Sequence, residues 1–211
     1  MHRGKLIVIE GQGFTGKTTQ ANLLVEKLKE AGIGAVALRH PGGTVHAEKL
    51  RQELLEKKEA GVLTPDEELE FLMRSLKSLV EELILPALEA GKWVVLTRFI
   101  PSAIVYQGYQ EGLDKDFIKT QAEKASQHLK PDLSILIDLP EEEIMKRQAN
   151  AHDSEIHAYN NLDLAVLKAR RKGFLEVFKE MENAVIVNGS KPKEKIADEI
   201  WQEVSSRLSL S

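Results

Sequence analysis

The 211-residue chain is predicted to be an α/β protein, a three-layer sandwich with a five-stranded, mostly parallel sheet between helices. Two observations carry that expectation. Short β-branched runs alternate with longer stretches of helical periodicity along the whole chain. The first such run, Lys5–Glu10, passes through Gly11-Gln12-Gly13-Phe14-Thr15-Gly16-Lys17-Thr18 directly into a helix. Strand, glycine-rich turn and helix start are the context in which G-x-x-x-x-G-K-[ST] is a phosphate-binding P-loop.

Lys5–Glu10 is apolar and β-branched, as a strand buried on both faces must be. Thr19–Leu28 has apolar residues at helical spacing, and Gly32 and Gly34 close it. Ala35–Arg39 reads as the second strand, and Thr44 to Lys58 as a helix with Leu50, Leu54 and Leu55 on one face. Thr64-Pro65-Asp66-Glu67 starts the next helix with a cap, a proline at the first position and acids in the first turn. That helix runs to Ala90 and carries Leu69, Leu72, Met73, Leu76, Leu79, Val80, Leu83 and Ile84. The stripe is broader than one core contact needs, so part of it is a candidate homodimer interface. Trp93–Thr97, Asp132–Asp138 and Ala184–Asn188 are the remaining strands. Helices from Pro140 to Gln148 and from Leu164 to Met181 flank a polar stretch, and Ile196, Ile200, Val204 and Leu208 mark a last amphipathic helix. With no repeat, low-complexity segment or linker, residues 1–211 read as one domain.

Composition excludes several classes. A chain that is 42% hydrophobic and 29% charged is an ordinary soluble globule. A net charge of -4 and a pI near 5.9 argue against a dedicated nucleic-acid binder, which needs a basic face. Zero cysteines leave no disulfide framework and no thiolate chemistry, which fits a reducing cytoplasm. The N-terminus passes directly into the first strand, leaving no room for a signal peptide, and no apolar run reaches the ~20 residues of a membrane span. A cytoplasmic protein with small-molecule partners, neither membrane nor nucleic acid, is expected.

The motif letters have a physical reading. Glycines let the backbone approach phosphate oxygens, so amide groups and the helix N-terminus bind the anion. Lys17 reaches the β- and γ-phosphates as a point charge, and the Thr18 hydroxyl is the ligand for Mg²⁺. Further motifs fall at strand ends, where open α/β sheets bind ligands. Arg39-His40-Pro41-Gly42-Gly43-Thr44 follows strand two, with Arg51 downstream; Thr97-Arg98-Phe99-Ile100-Pro101-Ser102 ends strand three and leads to Tyr106-Gln107-Gly108. By residue type alone, Arg98 could equally serve as a surface ion-pair partner, and Phe71 and Tyr106 as plain core.

Together with Lys17-Thr18-Thr19-Gln20, these motifs resemble the thymidylate kinase family of P-loop nucleoside monophosphate kinases, in order and over nearly the whole chain. The resemblance implies nucleotide biosynthesis, with the γ-phosphate of ATP transferred to dTMP to give dTDP, and Mg²⁺ as the metal. It implies that Gly11, Gln12, Gly13, Phe14, Thr15, Gly16, Lys17, Thr18 and Thr19 hold ATP, with Thr18 on the metal. Arg147 and Asn188-Gly189-Ser190 resemble the elements flanking adenine. Arg51 and Arg98 correspond to the arginines on the acceptor phosphate, and Lys17 and Arg98 to the catalytic cations. Tyr106 resembles the tyrosine beside the deoxyribose, with Ser102 and Gln107 as neighbours, Pro41 in the pocket wall and Phe71 stacking on the base. Residues 149–163 correspond to the lid.

The chain departs from the family pattern at its chemistry. The P-loop has no carboxylate, Thr97 stands where the family has aspartate, and His40 where it has glutamate. The thymine-directed arginine falls at Leu76, with Arg74 two residues away as the nearest substitute. The family's catalytic arginine is missing too: Thr15 occupies its P-loop position, and the segment from Gln148 to Leu167 contains neither arginine nor lysine. Arg170 or Arg171, or a neighbouring subunit, could supply the charge. The histidines and acids of that segment, His152, Asp153, Glu155 and His157, read as solvated lid residues. Beside a dTMP kinase, two alternatives follow: a kinase with another acceptor, and a catalytically impaired nucleotide-binding protein with a regulatory role.

Overall fold

The computed structural model describes residues 3–150 and 163–210, so most of the segment read as a lid, 151–162, lies outside the described residues. Five strands form one sheet: β1 (Leu6–Glu10), β2 (Ala35–Arg39), β3 (Trp93–Thr97), β4 (Leu133–Asp138) and β5 (Ala184–Asn188). Their order is β2-β3-β1-β4-β5, and every neighbouring pair is parallel. The first strand in sequence is therefore the middle one in space, and the chain leaves it toward opposite edges. That reversal opens a crevice beyond the C-terminal end of β1, where open α/β sheets hold ligands.

Nine α-helical segments are described: α1 (Lys17–Glu30), α2 (Val45–Glu59), α3 (Pro65–Leu79), α4 (Leu85–Glu89), α5 (Ile100–Ala103), α6 (Lys115–Ala125), α7 (Glu141–Ala149), α8 (Leu164–Lys179) and α9 (Lys193–Arg207). The pleat of β1 sends alternate residues to opposite layers. Ile7 and Ile9 pack with Leu24 and Leu28 of α1 and Ile200 and Val204 of α9. Leu6 and Val8 pack with Leu76, Leu79, Val80, Ile84 and Leu88. Among the described residues, no helix is long and apolar enough to cross a membrane.

The Thr64 start is a capping box: its hydroxyl accepts from Glu67 N–H while the Glu67 carboxylate accepts from Thr64 N–H. The helix then continues through a wide π-turn, Val80–Ile84, into α4. Leu85 N–H reaches back five residues to Val80 O, just before Pro86, which has no N–H to give. The broad apolar stripe is largely used within the chain. Leu69, Leu76, Leu79, Val80 and Ile84 are buried, and Leu72, Met73 and Leu83 are partly so.

Residues 100–110 and 115–125 are helical, in a stretch where sequence periodicity predicts no element. After α5 comes a second π-helical segment, Ile104–Gln110, and then α6. Val105, Tyr106, Gln107 and Gly108 are buried in succession, so the segment is enclosed on all sides rather than along one face. Packing from α6 and α8 overrides the β-branched, glycine-containing local sequence.

Candidate active site

Gly11–Thr18 links the end of β1 to α1. Gly16 is the N-cap of α1 in a left-handed conformation (φ 88°) that suits glycine, and among the described residues no side chain closes the helix end. By contrast Thr44, Thr64 and Asp114 cap α2, α3 and α6. The first-turn amides of α1 thus have neither an intrahelical carbonyl nor a cap, an arrangement that suits an anion such as phosphate. Thr18 and Thr19 are exposed on that turn. The loop is fastened from behind: Thr15 Oγ1 donates to Gln12 O at 3.0 Å, Gln12 Nε2 donates to Leu167 O at 3.0 Å, and Phe14 packs on Leu139, Ile144 and Leu167. Arg147 ties it to the far strand. Its guanidinium donates to Phe14 O at 3.2 Å and to Gly189 O at 2.8 Å, bringing the P-loop beside the Asn188–Ser190 loop.

At the crevice floor lies a buried carboxylate that the motifs do not announce. Glu10, at the end of β1, is fully buried. Its Oε1 accepts from Phe99 N–H at 2.7 Å and Ser102 N–H at 3.3 Å, and its Oε2 accepts from Ser102 Oγ–H at 2.6 Å. Burial pushes this carboxyl up, against the pull of Ser102, Phe99, Arg98 and Lys17. Lys17 is buried too, donating to Gln12 O and Thr15 Oγ1. Burial, then repulsion from Arg98, holds its ammonium well below the ordinary lysine range, while Glu10 works in the opposite direction. Arg98, at a left-handed φ of 68°, donates to Ser102 Oγ at 3.3 Å and stands over the Tyr106 ring. One carboxylate therefore serves two cations and the turn that carries one of them.

Beside this centre is a cavity lined by His40, Pro41, Arg51, Leu54, Leu55, Glu68, Leu72, Arg98, Ser102, Ala103, Tyr106 and Gln107. It brings together Pro41, Arg98, Ser102, Tyr106 and Gln107 from three separate sequence motifs, and Arg51. It does not include Phe71 or Arg74. Phe71 is buried with Leu50 and Leu54, under the Lys57 ammonium at 5.4 Å, and Arg74 is exposed with Glu70 at 3.7 Å. One helical position rotates a side chain by about 100°, so Leu72 takes the place at the cavity that Phe71 was expected to fill. The phase was readable from Leu69, Leu72 and Leu76, spaced three and four apart. Glu68 was also missed; it lines the cavity and pairs with Lys58 at 2.7 and 2.9 Å.

Two adjacent arginines lie near the middle of α8. Arg171 is committed elsewhere, donating to both oxygens of Asp138 at 2.8 Å and to Glu141 at 3.3 Å. Arg170 is buried against Tyr106. The predicted lid residues His152, Asp153, Glu155 and His157 lie outside the described residues.

His40 is buried in the cavity wall and held to about 4, chiefly by burial, which its bond to Leu72 opposes and to which repulsion from Arg98 and Arg51 adds. Leu72 O can only accept, so at neutral pH the proton sits on Nε2, 3.0 Å away. Because the folded value lies below the unfolded one, this contribution to stability is present above about pH 6.5 and is lost as pH falls toward 4, about 3 kcal/mol in all. Glu111 has the opposite slope. Burial and Glu68 push it up to about 7, so its contribution is present below about 4.5 and lost as pH rises through 7. The clean measurement is the difference in stability between the protein and His40→Gln. The protein's advantage should shrink between pH 6.5 and 4; a constant difference would refute the assignment.

A thymidylate kinase family model matches residues 9–200. The chain is 40% identical over 189 residues to a thymidylate kinase of Caldanaerobacter subterraneus subsp. tengcongensis, covering 89% of this chain and 88% of the relative. It is 37% identical over 207 residues to thymidylate kinases of Thermoanaerobacter sp. (strain X514) and Thermoanaerobacter pseudethanolicus, covering 98% of this chain and all of each relative.

Proposed function

The chain belongs to the thymidylate kinase family, and from that premise we propose that it transfers the γ-phosphate of ATP to dTMP, giving dTDP. The observation that carries the reading is the meeting of two anion sites. The uncapped end of α1 and the arginine-lined cavity adjoin at Glu10, Lys17 and Arg98. Phosphoryl transfer between two anionic nucleotides needs little more than alignment and positive charge.

Within this reading, Gly11–Thr19 cradle the ATP phosphates and Lys17 draws charge from the transferred group. Arg147 and the Asn188–Ser190 loop flank the adenine. Arg51 and Arg98 hold the dTMP phosphate, with Tyr106, Ser102, Gln107 and Pro41 around the sugar. Leu72, rather than Phe71, is the apolar surface for the base, supported by its place in the cavity wall. Thr18 is the side chain that would hold Mg²⁺, its hydroxyl exposed on the first turn of α1. When bound, the ion neutralises phosphate charge. Residues 1–211 act as one domain with 149–163 as its lid, in the cytoplasm. A homodimer completes the reading, supported by the partly exposed Met73 and Leu83 of the long helix, and sedimentation should give twice the 23.6 kDa chain mass.

The test is ADP release from Mg-ATP across a panel of nucleoside monophosphates. Turnover should depend on dTMP; turnover with another acceptor in preference would overturn the acceptor assignment, and ATP binding without turnover would overturn the reaction. Thr97 is buried at the end of β3, its hydroxyl 3.4 Å from Leu38 O, where the family pattern has an acid. Thr97→Asp is expected to raise kcat by about tenfold, as an added carboxylate orders the metal. An unchanged rate in a folded variant would refute that role for the position.

A further inference from the structure

Arg170 has no part in the reading so far, yet it is one of the most deeply buried charges described, only 3% exposed. It points away from its neighbour Arg171, as successive helical positions must. Its Nε donates to Gln110 Oε1 at 2.5 Å, and its guanidinium stands 4.3 Å from the centre of the Tyr106 ring. The Arg98 guanidinium stands 4.9 Å from the same centre. Two cations thus share one aromatic platform, and one of them belongs to the acceptor cavity.

The platform is itself clamped by α8. Phe174 meets the Tyr106 ring edge-on, with centroids 6.3 Å apart and planes at 78°. Tyr109, one turn along the π-helical segment, donates through its hydroxyl to Glu176 at 2.7 Å. Gly173 makes the approach possible: a β-carbon there would lie 2.8 Å from Tyr109 Cγ. Arg170, Gly173, Phe174 and Glu176 therefore hold the segment from one side of a single helix.

We propose that Arg170 is a positioning residue for the acceptor: it fixes the Tyr106 ring, and through it the guanidinium of Arg98. The inference rests on the kinase reading above. An arginine carries large rotamer freedom, and freedom that must be frozen when a phosphate binds is subtracted from affinity. A ring held in place offers Arg98 a prepared electrostatic seat, because the face of an aromatic ring attracts cations. Arg170 acts from α8, on the side of Tyr106 that the helix covers, and is absent from the cavity lining. Its effect should fall on dTMP and spare ATP.

The experiment compares steady-state kinetics of the protein, Arg170→Met and Arg170→Lys, varying dTMP and ATP separately. Arg170→Met is expected to raise KM for dTMP about tenfold, the scale of one desolvated cation–ring contact, while KM for ATP stays within about twofold. Arg170→Lys, keeping the charge without the planar fork, should fall between. In a Tyr106→Leu background the same substitution should add nothing, since the path to Arg98 is gone. Equal KM for dTMP in the protein and Arg170→Met overturns the inference. So does a parallel rise in both KM values with a fallen Tm, which marks a structural role alone, and so does full additivity with Tyr106→Leu. If Arg170→Met does not fold, Arg170→Lys gives the same split between the two KM values. A protein that fails to phosphorylate dTMP overturns the kinase reading and the inference with it; an active protein indifferent to the substitution overturns the inference alone.

Discussion

Lys17→Ala is expected to reduce kcat for ADP release by about 10³-fold, with the fold intact. A single cation on a transferring phosphoryl group is worth about 10³–10⁵ in rate, and here few others are available to share the task. Arg171 is bound to Asp138 and Glu141, and Arg147 is spent on Phe14 and Gly189. The figure of about 10³ corresponds to about 4 kcal/mol of transition-state stabilisation. Stability should respond very differently. The Lys17 ammonium is held below its ordinary range by burial and by Arg98, so its charge is a cost to the folded state. Replacing it with a methyl group should leave Tm unchanged or slightly higher. Thermal melts beside the coupled assay check both halves. A variant within about tenfold of the parent rate would remove Lys17 from the chemistry.

The second large effect is expected at Glu10. Glu10→Leu leaves the Phe99 and Ser102 amides and the Ser102 hydroxyl without their acceptor in a dry site. Buried donors stranded in this way, beside two uncompensated cations, should cost about 3–5 kcal/mol. The turn carrying Arg98 would loosen with it, and KM for dTMP should rise steeply. Glu10→Gln separates hydrogen bonding from charge. The amide oxygen can still accept from both backbone groups, and its NH₂ can donate to the Ser102 oxygen. Most of the stability should survive in the glutamine variant, while acceptor binding, which depends on where Arg98 and Lys17 point, should still weaken. Chemical denaturation of the two variants provides the test. Equal loss in both would mean that charge, not hydrogen bonding, holds the turn.

These two residues mark what could and could not be read from the chain beforehand. Lys17 was legible because a P-loop is local: strand, turn, helix and the uncapped glycine all lie within a few residues. The strands were legible for a similar reason. Ala35–Arg39, Trp93–Thr97 and Ala184–Asn188 are short apolar runs whose limits are set by the turns around them. Glu10 was hidden because it looks like the polar end of an apolar strand, and its partners are 89 and 92 residues away. The helical segment after β3 was hidden because its residues favour other states, and only enclosure by α6 and α8 decides the matter. Leu72, not the neighbouring Phe71, lines the cavity, a difference of one position in helical phase that an aromatic residue type does not reveal. Arg170 was named among the arginines that could restore charge, but its role depends on a ring 64 positions earlier in the numbering, which no local pattern reveals.

The strand order has a consequence for how the protein is made. Ribosomes deliver β1 first, yet its flanks are completed only by β3 and β4, through pairings such as Leu6 with Val94 and Ile7 with Leu133. A nascent chain therefore carries this largely apolar strand unpaired until Trp93–Thr97 emerges, and open along one side until Leu133–Asp138 follows. Early in translation that strand is the segment most in need of shelter by a chaperone. The phosphate cradle attached to it becomes a binding site only when β4 arrives, so nucleotide can reward folding late and cannot guide it early.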